Sequence, residues 1–175
     1  DEIEKVRKDV DEIIRRLEEE LEEVAKRLED LNREIERILR EVKKESDDTI
    51  RTIERLRKEG VDRRDIKRIS EEDERKLEEV EKTLKRIADK SRELTEDVKR
   101  RLKEALDRLE EELKRVNVDE SIVKEVRDKL RRLEKRLDDL AKRNEESLRE
   151  LKRTLEEIIK RSRKENKRIE DEVRK

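Results

Sequence analysis

From Ile3 to Leu56 the apolar residues recur in steps of three and four: Ile3, Val6, Val10, Ile13, Leu17, Leu21, Val24, Leu28, Leu31, Ile35, Ile38, Val42, Ile53 and Leu56. This is the 3.5-residue seam of a coiled coil, and it predicts one long helix. Two steps of four fall together at Ile13–Leu17–Leu21 and again around Val42–Ser46, each predicting a local unwinding of the supercoil. The seam resumes from Ile66 to Val116 and from Ile122 to Val173. The expected elements are helices over residues 1–59, 63–116 and 120–174. Residues such as Ile14, Leu39, Ala88, Leu148 and Ile159 flank the seam and widen it without making a second stripe. One stripe per helix predicts a core closed within a single chain.

Two short stretches separate the helices. In LRKEGVDRRDI (56–66), Gly60 is the only glycine of a chain without proline. Lacking a Cβ, it suits the left-handed C′ position that ends a helix, with Val61 returning to Leu56 as the partner in a Schellman ending. Asp62 is placed to cap the next helix, and Val61 to staple onto Ile66. LKRVNVDESIV (113–123) repeats the design, with Asn117 for glycine, Val118 against Leu113 and Val123, and Asp119 as the cap. Acids at the start of helix 1 (Asp1, Glu2, Glu4) and bases at its end (Arg55, Arg57, Lys58) match the helix dipole. Tight turns impose an up-down-up order. The fold class expected is all-α: an elongated, antiparallel, coiled-coil-like three-helix bundle. It forms a single domain over residues 1–175, a rod roughly 80–90 Å long at 1.5 Å per residue.

Polar residues interrupt the seams at matching heights. Antiparallel pairing across the first turn joins positions whose numbers total about 121, and across the second about 235. Ser91 then lies level with Asn144, close to Ser147, and with a position near Asn32 on helix 1. Asp73 lies level with Ser162 and with a position near Thr49, while Ser46, Thr52, Ser70 and Asn166 fall within one turn of that height. Buried polar groups are tolerated only when hydrogen-bonded. Two hydrogen-bond layers are therefore expected, one midway along the rod and one toward Gly60.

Composition narrows the chemistry. Charged residues are 62% of the chain, but 54 basic residues balance 55 acidic ones, so self-repulsion does not force disorder. Without His or Cys, the usual transition-metal ligands are missing. No apolar run approaches membrane-spanning length, and nothing resembles a signal peptide. A net charge of −1 gives no pull toward nucleic acid or anionic lipid. The basic runs at Lys99–Arg101, Arg63–Arg64 and Arg131–Arg132 are flanked by acids, with no aromatic residue to stack on a base. Asp73 with Ser162 and Asn166 invites comparison with a calcium site or an activated hydroxyl. Calcium takes six to eight oxygens, usually from several carboxylates. A hydrolase needs an oxyanion hole, which no kinked or glycine-rich segment here supplies. No catalytic residue, cofactor, metal or partner is assigned, and a monomer is expected.

The GVD and NVD turns, the Asp caps with their staples, the aliphatic-only seams, the Glu/Lys/Arg surfaces and the Ser/Thr/Asn layers together resemble de novo designed three-helix bundles with buried hydrogen-bond networks. The resemblance covers the whole chain, and such consistency at every level is what a designer imposes. It implies a rigid, thermostable structural scaffold with no natural substrate. The alternative is a helical interaction module: a spectrin-like or tethering coiled coil, or a designed cage that accepts an added helix. Spectrin-like repeats share only the outline, since they carry aromatic core residues and shorter helices.

Overall fold

The computed structural model describes residues 2–173; Asp1, Arg174 and Lys175 lie outside the described residues, and with them the outermost positions assigned above to helices 1 and 3. Three helices account for nearly all of it: α1 (Glu2–Lys58), α2 (Arg63–Arg115) and α3 (Glu120–Val173). Among the described residues there is no strand.

The two turns differ in detail. Gly60 takes a left-handed φ of 76°. Its N–H donates to the Arg57 carbonyl at 3.1 Å, and the Val61 N–H reaches back to Leu56 at 3.1 Å, the two bonds of a Schellman ending. Asn117 is also left-handed, at φ 54°. There, Val116 N–H donates to the Glu112 carbonyl at 3.2 Å, and among the described residues the Schellman pair is not formed. The second turn thus copies the conformation of the first but not its hydrogen bonds; Asn117 carries a Cβ that this region of φ strains. Both caps organise the following helix. The Asp62 carbonyl accepts from Asp65 and Ile66, and its carboxylate accepts from the Arg64 N–H at 3.4 Å. The Asp119 carbonyl accepts from Ile122 and Val123.

The helices contribute to two compact units. Unit 1 takes the described residues up to 30 together with 89–146; unit 2 takes 31–88 together with 147–173. Unit 1 contains the Asn117 turn. Its core is one cluster running from Val10 to Leu28 on α1, Val98 to Leu113 on α2 and Val126 to Leu137 on α3. Glu20 pairs with Arg101 at 3.6 Å and Glu110 with Arg127 at 3.9 Å, as antiparallel neighbours should. Unit 2 contains the Gly60 turn and two clusters. One gathers Ile35, Leu39, Val42, Leu77, Leu84, Leu148, Leu155 and Ile159. The other gathers Ile53, Ile66 and Ile169.

The core departs from the expected seam at several doublets. Ile14 and Leu39 are buried, whereas Ile13 and Ile38 are half-buried. Following Ile14, the steps from Val10 to Leu28 alternate four and three without a break, so the stutter at Ile13–Leu17–Leu21 disappears. With Leu39 in the core, consecutive fours fall at Leu31–Ile35–Leu39 instead. On α3, Leu148 and Ile159 are buried while Ser147 and Ile158 are half-buried.

Candidate functional site

Unit 1 holds a neutral polar pair. Ser91 on α2 is fully buried and Asn144 on α3 nearly so. Asn144 Nδ2 donates to Ser91 Oγ at 3.1 Å. The Asn144 Oδ1 atom is buried and accepts no hydrogen bond from the described residues. The next residue on each helix forms a second bridge outside the first: Arg92 Nε donates to Glu145 Oε1 at 2.7 Å, and its Nη2 reaches Oε2 at 3.4 Å. That bond, with the nearby Asp89, raises the already high pKa of Arg92.

Unit 2 holds a charged trio. Ser162 Oγ donates to Asp73 Oδ2 at 2.7 Å, and Asn166 Nδ2 donates to the same oxygen at 3.0 Å. All three residues are buried. Here too the next residues make an outer bridge, with the signs exchanged between helices: Arg163 Nε on α3 donates to Glu74 Oε1 on α2 at 2.6 Å. Each inner polar contact is thus backed by an outer ion pair one residue along. Both outer pairs total 237, two more than the inner pairs, so the register sum alone does not select them.

The remaining positions take other roles. Ser46 is buried on α1, and Thr49, Ser70 and Ser147 are half-buried. Among the described residues, the trio's hydrogen bonds join α2 to α3, and neither Ser46 nor Thr49 donates to Asp73. Thr52 turns its hydroxyl to the Asp48 carbonyl one turn back, at 2.8 Å. Threonines on helices commonly satisfy themselves this way, which removes them as network donors. Asn32 lies in unit 2, half-buried, its Oδ1 buried without a donor among the described residues. Thr95 is a further buried polar residue, one position beyond the seam residue Leu94; its hydroxyl donates to the Arg92 carbonyl at 2.8 Å.

A hydroxyl 2.7 Å from a carboxylate is a base–nucleophile contact in outline. Ser162 is 0% exposed and lies within α3, so the hydroxyl is turned into the protein interior. Near the Gly60 turn, the unit 2 surface carries a connected set of ion pairs. Arg57 bonds Glu54 at 3.0 Å and Glu172 at 3.1 Å; Arg168 bonds Glu54 at 3.2 Å and also Glu165 and Glu172. The hydrogen bond from Arg57, with Arg168 beside it, holds the Glu54 carboxyl below its ordinary range.

No family model and no curated protein matches this chain. Among solved structures it aligns with a chain described as a computationally designed three helix bundle, at 17% identity, covering 98% of this chain and 88% of that one, with a TM-score of 0.38.

Proposed function

We propose that the chain is a structural scaffold without a reaction of its own, in which the buried polar layers set the register of α2 against α3. One observation carries this reading. In cores built mainly from aliphatic side chains, Ser91–Asn144 and Asp73–Ser162 both join α2 to α3 by buried hydrogen bonds. Both pairs obey the one pairing rule set by the Asn117 turn. An all-aliphatic seam accepts a slip of one heptad, because apolar side chains then meet apolar side chains again. A slip that separates Asp73 from Ser162 leaves buried groups without partners, at about 1–3 kcal/mol each. The gain is in specificity more than in net stability, the role polar seam residues play in some coiled coils.

Designed origin, a monomeric state and a melting midpoint above the mesophile range of about 45–65 °C belong to the same reading. It is supported by capping, patterning and packing that all agree. The competing reading, a module that receives an added helix, calls for a second apolar stripe. Among the described residues, Ile3 is the one large hydrophobic left exposed. Sedimentation equilibrium of the protein, alone and with amphipathic helical peptides, tests the choice. The scaffold reading expects a monomer mass unchanged by the peptides; a stable dimer at micromolar concentration, or a stoichiometric complex, contradicts it.

A further inference from the structure

The apolar seam grows smaller toward the Asn117 end of unit 1. On α1 it passes from Leu21 and Leu17 through Ile14 to Val10 and Val6, and on α3 from Leu133 and Leu130 to Val126. Valine is one methylene smaller than leucine, and packed helix axes stand about 8–10 Å apart, so smaller side chains leave space between them. The chain has no aromatic residue and no methionine to fill it. A pocket of about 270 Å³ opens there between α1, α3 and the Asn117 turn.

Its wall is aliphatic. The buried Val10 and Val126, the half-buried Val6, Val118 and Ile122, and Ile3, which is 44% exposed, all line it. Such side chains offer water none of the roughly two to four hydrogen bonds that hold an ordered molecule in place. The charged residues at the pocket are engaged with one another. Arg7 meets Glu125 at 3.8 Å, and Lys129 meets Asp11 at 3.8 Å and Glu125 at 3.7 Å. Two cations and two carboxylates leave the rim without net charge. The groove beside Ser46 in unit 2, about 200 Å³, is different: Lys43, Asp47, Glu157 and Arg161 wall it, with Ile158 as its one aliphatic residue.

Size, wall and rim together specify an occupant. A fatty acid or other amphipathic anion needs a free cation at the mouth, and both cations of this rim are paired. An added helix needs an apolar stripe, and among the described residues Ile3 is the one large hydrophobic left exposed. Drug-sized ligands occupy pockets of about 300–1,000 Å³, whereas an apolar cavity of about 150 Å³ takes up benzene. We propose that the pocket at the Asn117 end of unit 1 binds a small uncharged hydrocarbon, of about one ring, against Val6, Val118 and Ile122.

Toluene is the probe, followed by methyl NMR of the full chain. The methyl signals of Val6, Val118 and Ile122 should shift saturably with toluene, while those of Val80 and Ile158, half-buried in unit 2, stay in place. Val6→Phe puts a ring into the pocket and should abolish the shifts without losing helical circular dichroism. Val118→Met, a flexible filler, is the second variant should Val6→Phe fail to fold, and it should weaken the shifts in the same way. Val80→Phe, remote from the pocket, should leave them unchanged. Three results overturn the proposal: no saturable shift in the wild type, equal shifts in both units, or shifts that survive a folded filling variant. A dimer at NMR concentration that Ile3→Ser dissolves overturns it too, and makes a second copy of the chain the occupant. Loss of toluene binding in a chain that stays monomeric leaves the scaffold reading untouched.

Discussion

Unit 1 buries 14 hydrophobic side chains in one cluster, whereas unit 2 divides its own between a cluster of 8 and a cluster of 3. The difference follows from where the polar residues fall. Ser91 and Asn144 sit at one end of the unit 1 cluster and leave it continuous. Asp73, Ser162, Asn166 and Ser46 sit between Val42, Leu77 and Ile159 on one side and Ile53, Ile66 and Ile169 on the other. A neutral pair at the margin of a core and a charged trio within one are the same device with different consequences. The trio separates a small terminal cluster that depends on three isoleucines, the Gly60 turn and the surrounding ion pairs.

Truncating the largest buried side chains tests this division most strongly. Leu109→Ala in unit 1 and Ile169→Ala in unit 2 each remove a side chain with 0% exposure, at about 2–5 kcal/mol in urea unfolding. Amide hydrogen exchange should tell them apart. Ile169→Ala should speed exchange mainly around residues 50–70 and 162–173, and Leu109→Ala throughout the unit 1 cluster. Equal spread in both variants would mean that the polar trio does not divide the unit 2 core.

Single substitutions in the layers come next. Asn166→Leu removes one of two donors to a buried carboxylate and should cost about 1.5–3 kcal/mol, the range for a hydrogen bond to a charged group. Asn144→Leu removes a neutral partner from Ser91 and should cost about 0.5–1.5 kcal/mol. Equal losses in chemical denaturation would remove the distinction between the layers.

The helices, the left-handed residue of each turn and the α2–α3 pairs Ser91–Asn144 and Asp73–Ser162 were legible because they rest on local rules: a 3.5-residue period, a left-handed C′ residue and a constant register sum. Which member of an apolar doublet enters the core was not. Ile13 and Ile14 lie 100° apart on a helix, and an average period cannot choose between them when both are isoleucine. Nor was the partner of each polar side chain legible. Ser162 and Asn166 both converge on one Asp73 oxygen, while Thr52, placed in the same layer, bonds to its own helix. Register fixes height; rotamer and backbone competition fix the bond.

The two turns provide a smaller contrast. A Cβ built on Gly60 meets nothing within 4 Å, so Gly60→Ala should cost the backbone strain alone, about 1–2 kcal/mol. Asn117→Gly relieves strain already present and should stabilise by at most about 1 kcal/mol. Thermal or urea midpoints of the two variants should move in opposite directions.

The smallest effect concerns acid. Glu54 is held below its ordinary value by Arg57 and then Arg168. A depressed carboxyl contributes stability that is fully present above the unfolded-state value, about 4.3, and is lost as pH falls through the folded one. Unfolding free energy should therefore drop on acidification below pH about 4.3, and Glu54→Gln should flatten that part of the profile by about 0.5 kcal/mol or less, as for a largely solvated ion pair.

The claim that the polar layers set register is tested most directly by removing both at once. In a variant carrying Ser91→Ala, Asn144→Leu, Asp73→Leu, Ser162→Ala and Asn166→Leu, no buried group is stranded, so stability should be kept or raised. The measurement is the amide NMR spectrum, with native mass spectrometry of the same sample. The account predicts more than one set of amide signals, or oligomers beside the monomer, as slipped registers become populated. A single set of signals from one monomeric species, as stable as the parent, would contradict it.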